Sequence, residues 1–183
     1  HVLTLNVFPN DIKNKPDIDV NRFFHGLDNT TRHVMGGPYS LEGCKKAVKL
    51  AEMVAGGEEE LRERPFVSFI TLLISPFKVD KDHGEITCYV AEQGLPVVVP
   101  TEPMCGTTSP VTLAGNVLTH VAETLGGITL VQAINEGAPG ICGNVGSISD
   151  LETMGNLGGC VERGMISAAV AQMAQHFELP IYS

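Results

Sequence analysis

A single carboxylate stands in the segment Thr101-Glu102-Pro103-Met104-Cys105-Gly106-Thr107, among neighbours that bring no competing charge. An acid so placed suits proton transfer or the holding of a cation, because a carboxylate with few rivals is a defined partner for a positive group. Glu102 is therefore the candidate catalytic residue. Thr101, Gly106 and Thr107 beside it, Gly143 and Asn144 in Gly143-Asn144-Val145-Gly146, and Tyr182 near the chain end are candidates for facing a substrate or cofactor. Each also has a structural reading: a glutamate can cap a loop, and an asparagine between glycines can turn the chain. Cys105 and Cys142 could join Glu102 as zinc ligands, but zinc ordinarily takes three or more His, Cys or carboxylate ligands at close spacing. Buried thiols more often fill space, and no metal is expected. His83 and His120 fall in helical stretches and read as surface or core histidines.

These residues act together only if strands deliver them to one place. Val2 to Phe8 is an apolar run closed by Pro9-Asn10, and reads as a strand. Residues 11–40 carry turn formers such as Asn29-Thr30-Thr31 and Gly36-Gly37-Pro38 and read as a long loop. From Leu41, apolar residues at Cys44, Ala47, Val48, Ala51, Val54 and Ala55 predict an amphipathic helix, with Ser40 as its N-cap and Gly56-Gly57 as its stop. Lys45, Lys46 and Lys49 then belong to its solvated face. Phe66 to Ile74 reads as a buried strand, Asp80 to Gln93 as a helix ended by Gly94, and Pro96 to Thr101 as the next strand. Ser109-Pro110 predicts the start of a helix running to Gly126-Gly127, followed by a second helical piece over Ile128 to Asn135. Pro139 to Val145 reads as a strand, Val161 to Phe177 as a helix and Leu179 to Tyr182 as a last strand.

Alternating strands and helices call for a parallel α/β sheet. No Gly-x-Gly-x-x-Gly or Gly-x-x-x-x-Gly-Lys follows a strand, so the phosphate signatures of open sheets are missing and a (β/α)8 barrel is expected. In a barrel the chemistry sits at the C-terminal ends of the strands, where the candidates above fall. A barrel takes about 250 residues and eight strands. This chain of 183 residues, opening and closing in strands and lacking an initial Met, reads as an internal fragment: a partial barrel domain over 1–183 that is not expected to be stable by itself.

A net charge of -9 and a pI near 5.0 argue against binding a polyanion, so no nucleic-acid partner is expected. The uninterrupted apolar runs, such as Ile70 to Ile74, fall far short of the roughly 20 residues of a membrane span, and no signal peptide opens the chain. Five unpaired-looking cysteines without a Cys-x-x-Cys motif point to a reducing compartment, hence the cytoplasm.

Gly94-Leu95-Pro96-Val97-Val98-Val99, the run from Pro103 to Gly115, Asn135-Glu136-Gly137-Ala138-Pro139 and Leu179-Pro180 resemble the trimethylamine methyltransferase family. The similarity covers Phe66 to Ser183 and is faint before Ser40. The resemblance implies a barrel enzyme that takes a methyl group from trimethylamine or a related quaternary amine and passes it to the Co(I) corrinoid of a separate partner protein. Such a barrel binds no cofactor tightly. Its task is to orient a small amine and leave room for a large flat macrocycle, which small residues at Gly106, Gly143 and Gly146 would permit. Nothing in the chain resembles the Asp-x-His-x-x-Gly signature of a cobalamin carrier, so the corrinoid protein is expected as a distinct chain, and the enzyme as a homo-oligomer. Some members of the family carry pyrrolysine beyond the position where this segment stops; relatives without it resemble glycine betaine methyltransferases. The alternatives are a zinc-dependent barrel methyltransferase and a non-catalytic amine-binding module.

Overall fold

The computed structural model describes residues 4, 5 and 7–182. In chain order the elements are β1 (Thr4–Leu5), α1 (Lys15–Asn29), β2 (Val34–Gly36), α2 (Leu41–Ala55), α3 (Glu58–Glu63), β3 (Val67–Ile70), β4 (Leu73–Ile74), β5 (Lys78–Val79), α4 (Lys81–Glu92), β6 (Val97–Thr101), β7 (Met104–Cys105), α5 (Leu113–Ile134), β8 (Gly140–Asn144), β9 (Ser147–Ile148), α6 (Val161–His176) and β10 (Ile181–Tyr182). The expected α/β alternation is present, built on parallel strand pairs. The chain divides into two compact units, one comprising 1–71, 81–98 and 131–139, the other 72–80, 99–130 and 140–183.

In the first unit β1, β2, β3 and the start of β6 pair in that order, all parallel. The side chains of β2 and most of β3 are buried, as a strand covered on both faces requires. Helix α2 forms as the periodicity demands. The Ser40 side chain accepts from the Gly43 N–H, and Gly56 ends the helix with a φ of 96°, a conformation that glycine adopts without a Cβ penalty. Its basic residues lie outside, Lys46 paired with Glu42 and Lys49 with Glu52. Helix α4 stops near Gly94, whose φ is 69°.

The segment 11–40 is not a long loop. Fifteen of its residues form α1, and Val34–Gly36 form a buried strand. The start signal is local: Asn14 precedes Pro16, which takes the first turn where a missing N–H costs nothing. What hid the helix is its inward face, which carries Asp19, Arg22 and Gly26 beside Phe23. Asp19 is fully buried and accepts from the backbone N–H groups of Tyr39 and Ser40 at 2.8 and 3.1 Å and from the Ser40 hydroxyl at 3.1 Å. It thereby fixes the N-terminus of α2 against α1. Arg22 donates to the Gly37 carbonyl and lies over the rings of Phe8 and Tyr39 at 4.4 and 4.8 Å. Phe23 stacks against Phe69 with ring centroids 5.0 Å apart, a pair worth about 1 kcal/mol beyond its buried area. The strand read over Val2 to Phe8 is seen at Thr4–Leu5; positions 2, 3 and 6 lie outside the described residues.

In the second unit the end of β6 pairs with β8, and β8 with β10 in parallel, Ile181 opposite Cys142 and Tyr182 opposite Gly143. The run Phe66 to Ile74 is therefore two strands. β4 is a separate short piece that pairs with β6 at Thr101 and makes an antiparallel hairpin with β5. Glu123, buried on α5, ties down that hairpin by accepting from the Ser75 hydroxyl at 2.7 Å and the Phe77 N–H at 2.9 Å. Helix α5 begins at Leu113, later than Ser109-Pro110 suggested. Thr112 caps it by accepting from the Gly115 N–H. It then runs unbroken through Gly126-Gly127, neither of which takes a positive φ, and Gly127 is small because a Cβ there would collide with Val99 and Leu73. The glycine there is a close-packing contact, not a stop. One uninterrupted helix of 22 residues results, long and apolar enough by length and composition to cross a membrane, which the shorter runs did not suggest. Its inward polar groups Asn116 and Glu123 are committed to loops of the same unit. Ile166 and Val170 of α6 pack with Cys105, Leu113, Val117, Ile148 and Ile181 to form this unit's apolar core.

Candidate active site

All the candidate residues belong to the second unit, around the C-terminal ends of β6, β8 and β10. Beyond β6 the chain makes a tight, internally bonded loop. The Met104 carbonyl accepts from the N–H groups of Thr107, Thr108 and Ser109, and the Thr108 hydroxyl accepts from the Met104 N–H at 2.8 Å. Gly106 supplies the positive φ of 87° that this turn needs. Beyond β8 a second loop crosses to the first: β7 and β9 pair in parallel, Met104 opposite Ser147 and Cys105 opposite Ile148. The Thr107 and Ser149 hydroxyls lie 2.9 Å apart in hydrogen bond. From α5, Asn116 donates to the Pro103 carbonyl at 2.8 Å and to the Ser109 hydroxyl at 2.7 Å. Two loops that would otherwise move independently thus form one cross-bonded surface.

Glu102 is exposed at this surface. Its Oε1 accepts from the Asn156 side-chain amide at 2.7 Å, and the Asn156 Oδ1 accepts in turn from the Ser147 hydroxyl at 2.7 Å. Among the described residues no donor reaches Oε2. Tyr182 is half-buried; burial raises its phenol above the usual tyrosine range, and the negative charge of Glu102 adds to the rise. The Tyr182 ring covers Gly143: a Cβ there would lie 2.6 Å from the Tyr182 Cε1 and 2.7 and 2.9 Å from the Pro100 Cβ and Cα. Gly143 is accordingly small because a ring and a backbone occupy the space beside it. Gly146 is buried, and a Cβ there would meet Asn116, Ile166 and Asn144 at 3.2 to 3.3 Å. Of the three glycines, only Gly106 is open to solvent, with the Leu151 side chain 3.6 Å from where its Cβ would be.

Thr101 is fully buried, its hydroxyl turned away from solvent and without a hydrogen-bond partner among the described residues. Asn144, also buried, uses its amide within the fold. Its Nδ2 donates to the Ser167 hydroxyl at 2.8 Å and its Oδ1 accepts from the Gly146 N–H at 3.1 Å, joining β8 to α6 and turning the chain. The fold therefore brings Glu102, Tyr182 and Gly143 together, sets Gly106 and Thr107 on the adjoining loop, and places Thr101 and Asn144 beneath the surface.

The thiols of Cys105 and Cys142 are both buried, which raises them above the ordinary cysteine range and disfavours the thiolate a metal requires. Among the described residues no group of three His, Cys, Asp or Glu side chains is placed to hold a metal ion. His120 proves to be a core histidine with no exposed surface.

Sequence reasoning missed Asn156 and Ser147. Asn156 lies in the glycine-rich connection before α6, 54 positions from the carboxylate it holds, and no local pattern marks it. Chemically, the arrangement is an exposed carboxylate bonded through one oxygen, with its other oxygen unpartnered among the described residues, and such a group can hold an organic cation.

Comparison with known proteins agrees with the sequence resemblance. The trimethylamine methyltransferase (MTTB) family profile matches residues 1–183. The trimethylamine methyltransferase MttB of Desulfitobacterium hafniense is 40% identical over 154 residues, covering 84% of this chain and 31% of that protein. The glycine betaine methyltransferase of another strain of D. hafniense is 30% identical over 158 residues, 86% of this chain and 33% of that protein. Trimethylamine methyltransferase MttB of Methanosarcina barkeri is 34% identical over 180 residues, 98% of this chain and 36% of that protein. The chain spans about a third of the length of these curated relatives. It belongs to the trimethylamine methyltransferase family.

Proposed function

We propose that the whole protein is a methyltransferase that moves a methyl group from trimethylamine or a related quaternary amine to the Co(I) corrinoid of a partner protein, and that this chain supplies part of its (β/α)8 barrel. The observation that carries the reading is the carboxylate of Glu102, exposed just beyond the end of β6 and held at one oxygen only. The two activities in the relatives' names share a substrate group, a nitrogen bearing three methyls, which is cationic in glycine betaine and in protonated trimethylamine. Parallel β/α units carrying polar groups at the C-terminal ends of their strands agree with a barrel enzyme.

A corrinoid, when presented by its protein, supplies a nucleophilic cobalt that accepts the methyl group. The chain's own residues bind and orient the amine. Glu102 Oε2 is available to the positive charge, and in a trimethylammonium ion to its N–H. The charge of Glu102 is felt at the Tyr182 phenol, whose ring covers Gly143. The loop at Gly106, open to solvent and without a side chain, leaves room for a flat macrocycle to approach; Gly143 and Gly146 serve packing instead.

The test is Glu102→Gln in the full-length enzyme with its corrinoid protein, following methyl transfer by the corrinoid absorbance, with trimethylamine and with glycine betaine. Loss of a charge contact to a cation lowers kcat/KM by about ten-fold or more. Unchanged transfer from both amines would refute the role of Glu102.

A further inference from the structure

We propose that Asn156 is a positioning residue for Glu102: by holding Oε1 it aims Oε2 at the cationic ligand of the rim, an inference that rests on the reading of Glu102 given above. An exposed glutamate otherwise samples several rotamers and loses that freedom on binding a cation. Here that freedom is restricted beforehand by a relay of two short hydrogen bonds, the Ser147 hydroxyl lying closer to Asn156 than to the Leu157 and Ile148 carbonyls at 3.3 and 3.4 Å. Ser147 is fully buried, sits in β9 opposite Met104, and its N–H donates to the Pro103 carbonyl at 3.2 Å, next in the chain to Glu102. Its hydroxyl donates to Asn156 Oδ1 at 2.7 Å, and Asn156 Nδ2 donates to Glu102 Oε1 at 2.7 Å. The amide orientation follows from the chemistry: an ionised carboxylate only accepts, so the NH2 group must face it and the amide oxygen must face the serine. Asn156 is further fixed by a β-bridge with Ser149. The carboxylate is thus referenced to a buried strand pair instead of to its own flexible loop, the support that a preorganised binding group requires.

A merely structural role for Asn156 would weaken every ligand of the rim alike, whereas a role in aiming a charge affects cations alone. The experiment measures binding of tetramethylammonium and of tert-butanol, a neutral molecule of similar size, to the full-length protein and its variants. Asn156→Leu, which keeps the volume and removes the donor, is expected to weaken tetramethylammonium about five-fold and leave tert-butanol within about two-fold. Ser147→Ala, which leaves Asn156 in place but releases its orientation, is expected to shift the same ratio in the same direction by a smaller factor. Equal weakening of both probes in Asn156→Leu, or no weakening of tetramethylammonium in either variant while Glu102→Gln does weaken it, would overturn the positioning role alone. If Glu102→Gln itself leaves tetramethylammonium binding unchanged, the reading of Glu102 fails and this inference fails with it.

Discussion

Acidification should destabilise this protein through one buried imidazole. His120 lies on α5 with no exposed surface. Its Nδ1 is 3.4 Å from the Thr124 hydroxyl, and its Nε2 has no hydrogen-bond partner among the described residues. It borders a cavity of about 20 Å³ whose other lining is Thr124, Cys142 and apolar side chains, including Val170, Met173, Ala174, Phe177 and Leu179. Cys142 is the only other titratable side chain lining that cavity, and burial raises its thiol, so it stays neutral across the acid range. Burial lowers the imidazole from its ordinary 6.5 to about 4. The native state therefore refuses a proton that the unfolded chain accepts. Above pH 6.5 neither state is protonated and nothing is lost. As the pH falls from 6.5 towards 4 only the unfolded state gains the proton, and stability drops by about 1.4 kcal/mol per pH unit, about 3 kcal/mol across the window. Replacing His120 by Leu removes this proton uptake and also removes an unpartnered polar atom from an apolar setting, so at pH 7.5 the variant should be close to wild type in stability. The assay is urea unfolding of the full-length protein and the His120→Leu variant, followed by circular dichroism at several values between pH 4 and 8. The difference between the two curves isolates the imidazole from the other titrating groups. Wild type should match the variant near pH 7.5 and fall below it as the pH drops from 6.5 towards 4. Parallel pH dependences of the two proteins would refute the reasoning.

Two further outcomes follow from groups buried elsewhere in the chain. Gly143→Ala places a methyl against the Tyr182 ring and the Pro100 backbone, and should cost about 1–3 kcal/mol in thermal or urea unfolding while altering the environment of Tyr182, seen in near-ultraviolet circular dichroism; a neutral effect on both would show that the ring does not rest on that glycine. Asp19→Ala removes the acceptor of three hydrogen bonds at the start of α2 and leaves Arg22 without its neighbouring carboxylate, so a loss of about 2–4 kcal/mol is expected, with faster hydrogen exchange at the amides of Tyr39 and Ser40; protection unchanged at those amides would contradict the anchoring role.

Much of the chain could be read directly because its elements follow the period of their backbone. Helix α2 announced itself through apolar residues at three and four, with Ser40 and Gly56 as caps, β6, β8 and β10 through short apolar runs between turn formers, and α6 as the helix after the glycine-rich connection. The family was legible too, in the run from Pro103 to Gly115, and the placement of Glu102 after a strand followed from the strand itself. Where reading failed, a contact distant in sequence outweighed the local signal. Helix α1 buries an aspartate and an arginine, stable there only because the Tyr39, Ser40 and Gly37 backbone supplies their partners. Gly126-Gly127 resembles a helix stop, yet α5 continues through it, and Gly127 is there to let Val99 and Leu73 pack where a Cβ would stand. The candidate site divides the same way. Sequence alone determined that a lone carboxylate would stand at a strand end. Tertiary structure decided that Asn156 would hold it, that Tyr182 would occupy the space at Gly143, and that Thr101 and Asn144 would be buried beneath. The reason is physical: periodicity and capping act within a few residues along the backbone, whereas the partner of a polar atom is chosen by whatever the packed chain brings within about 3 Å of it.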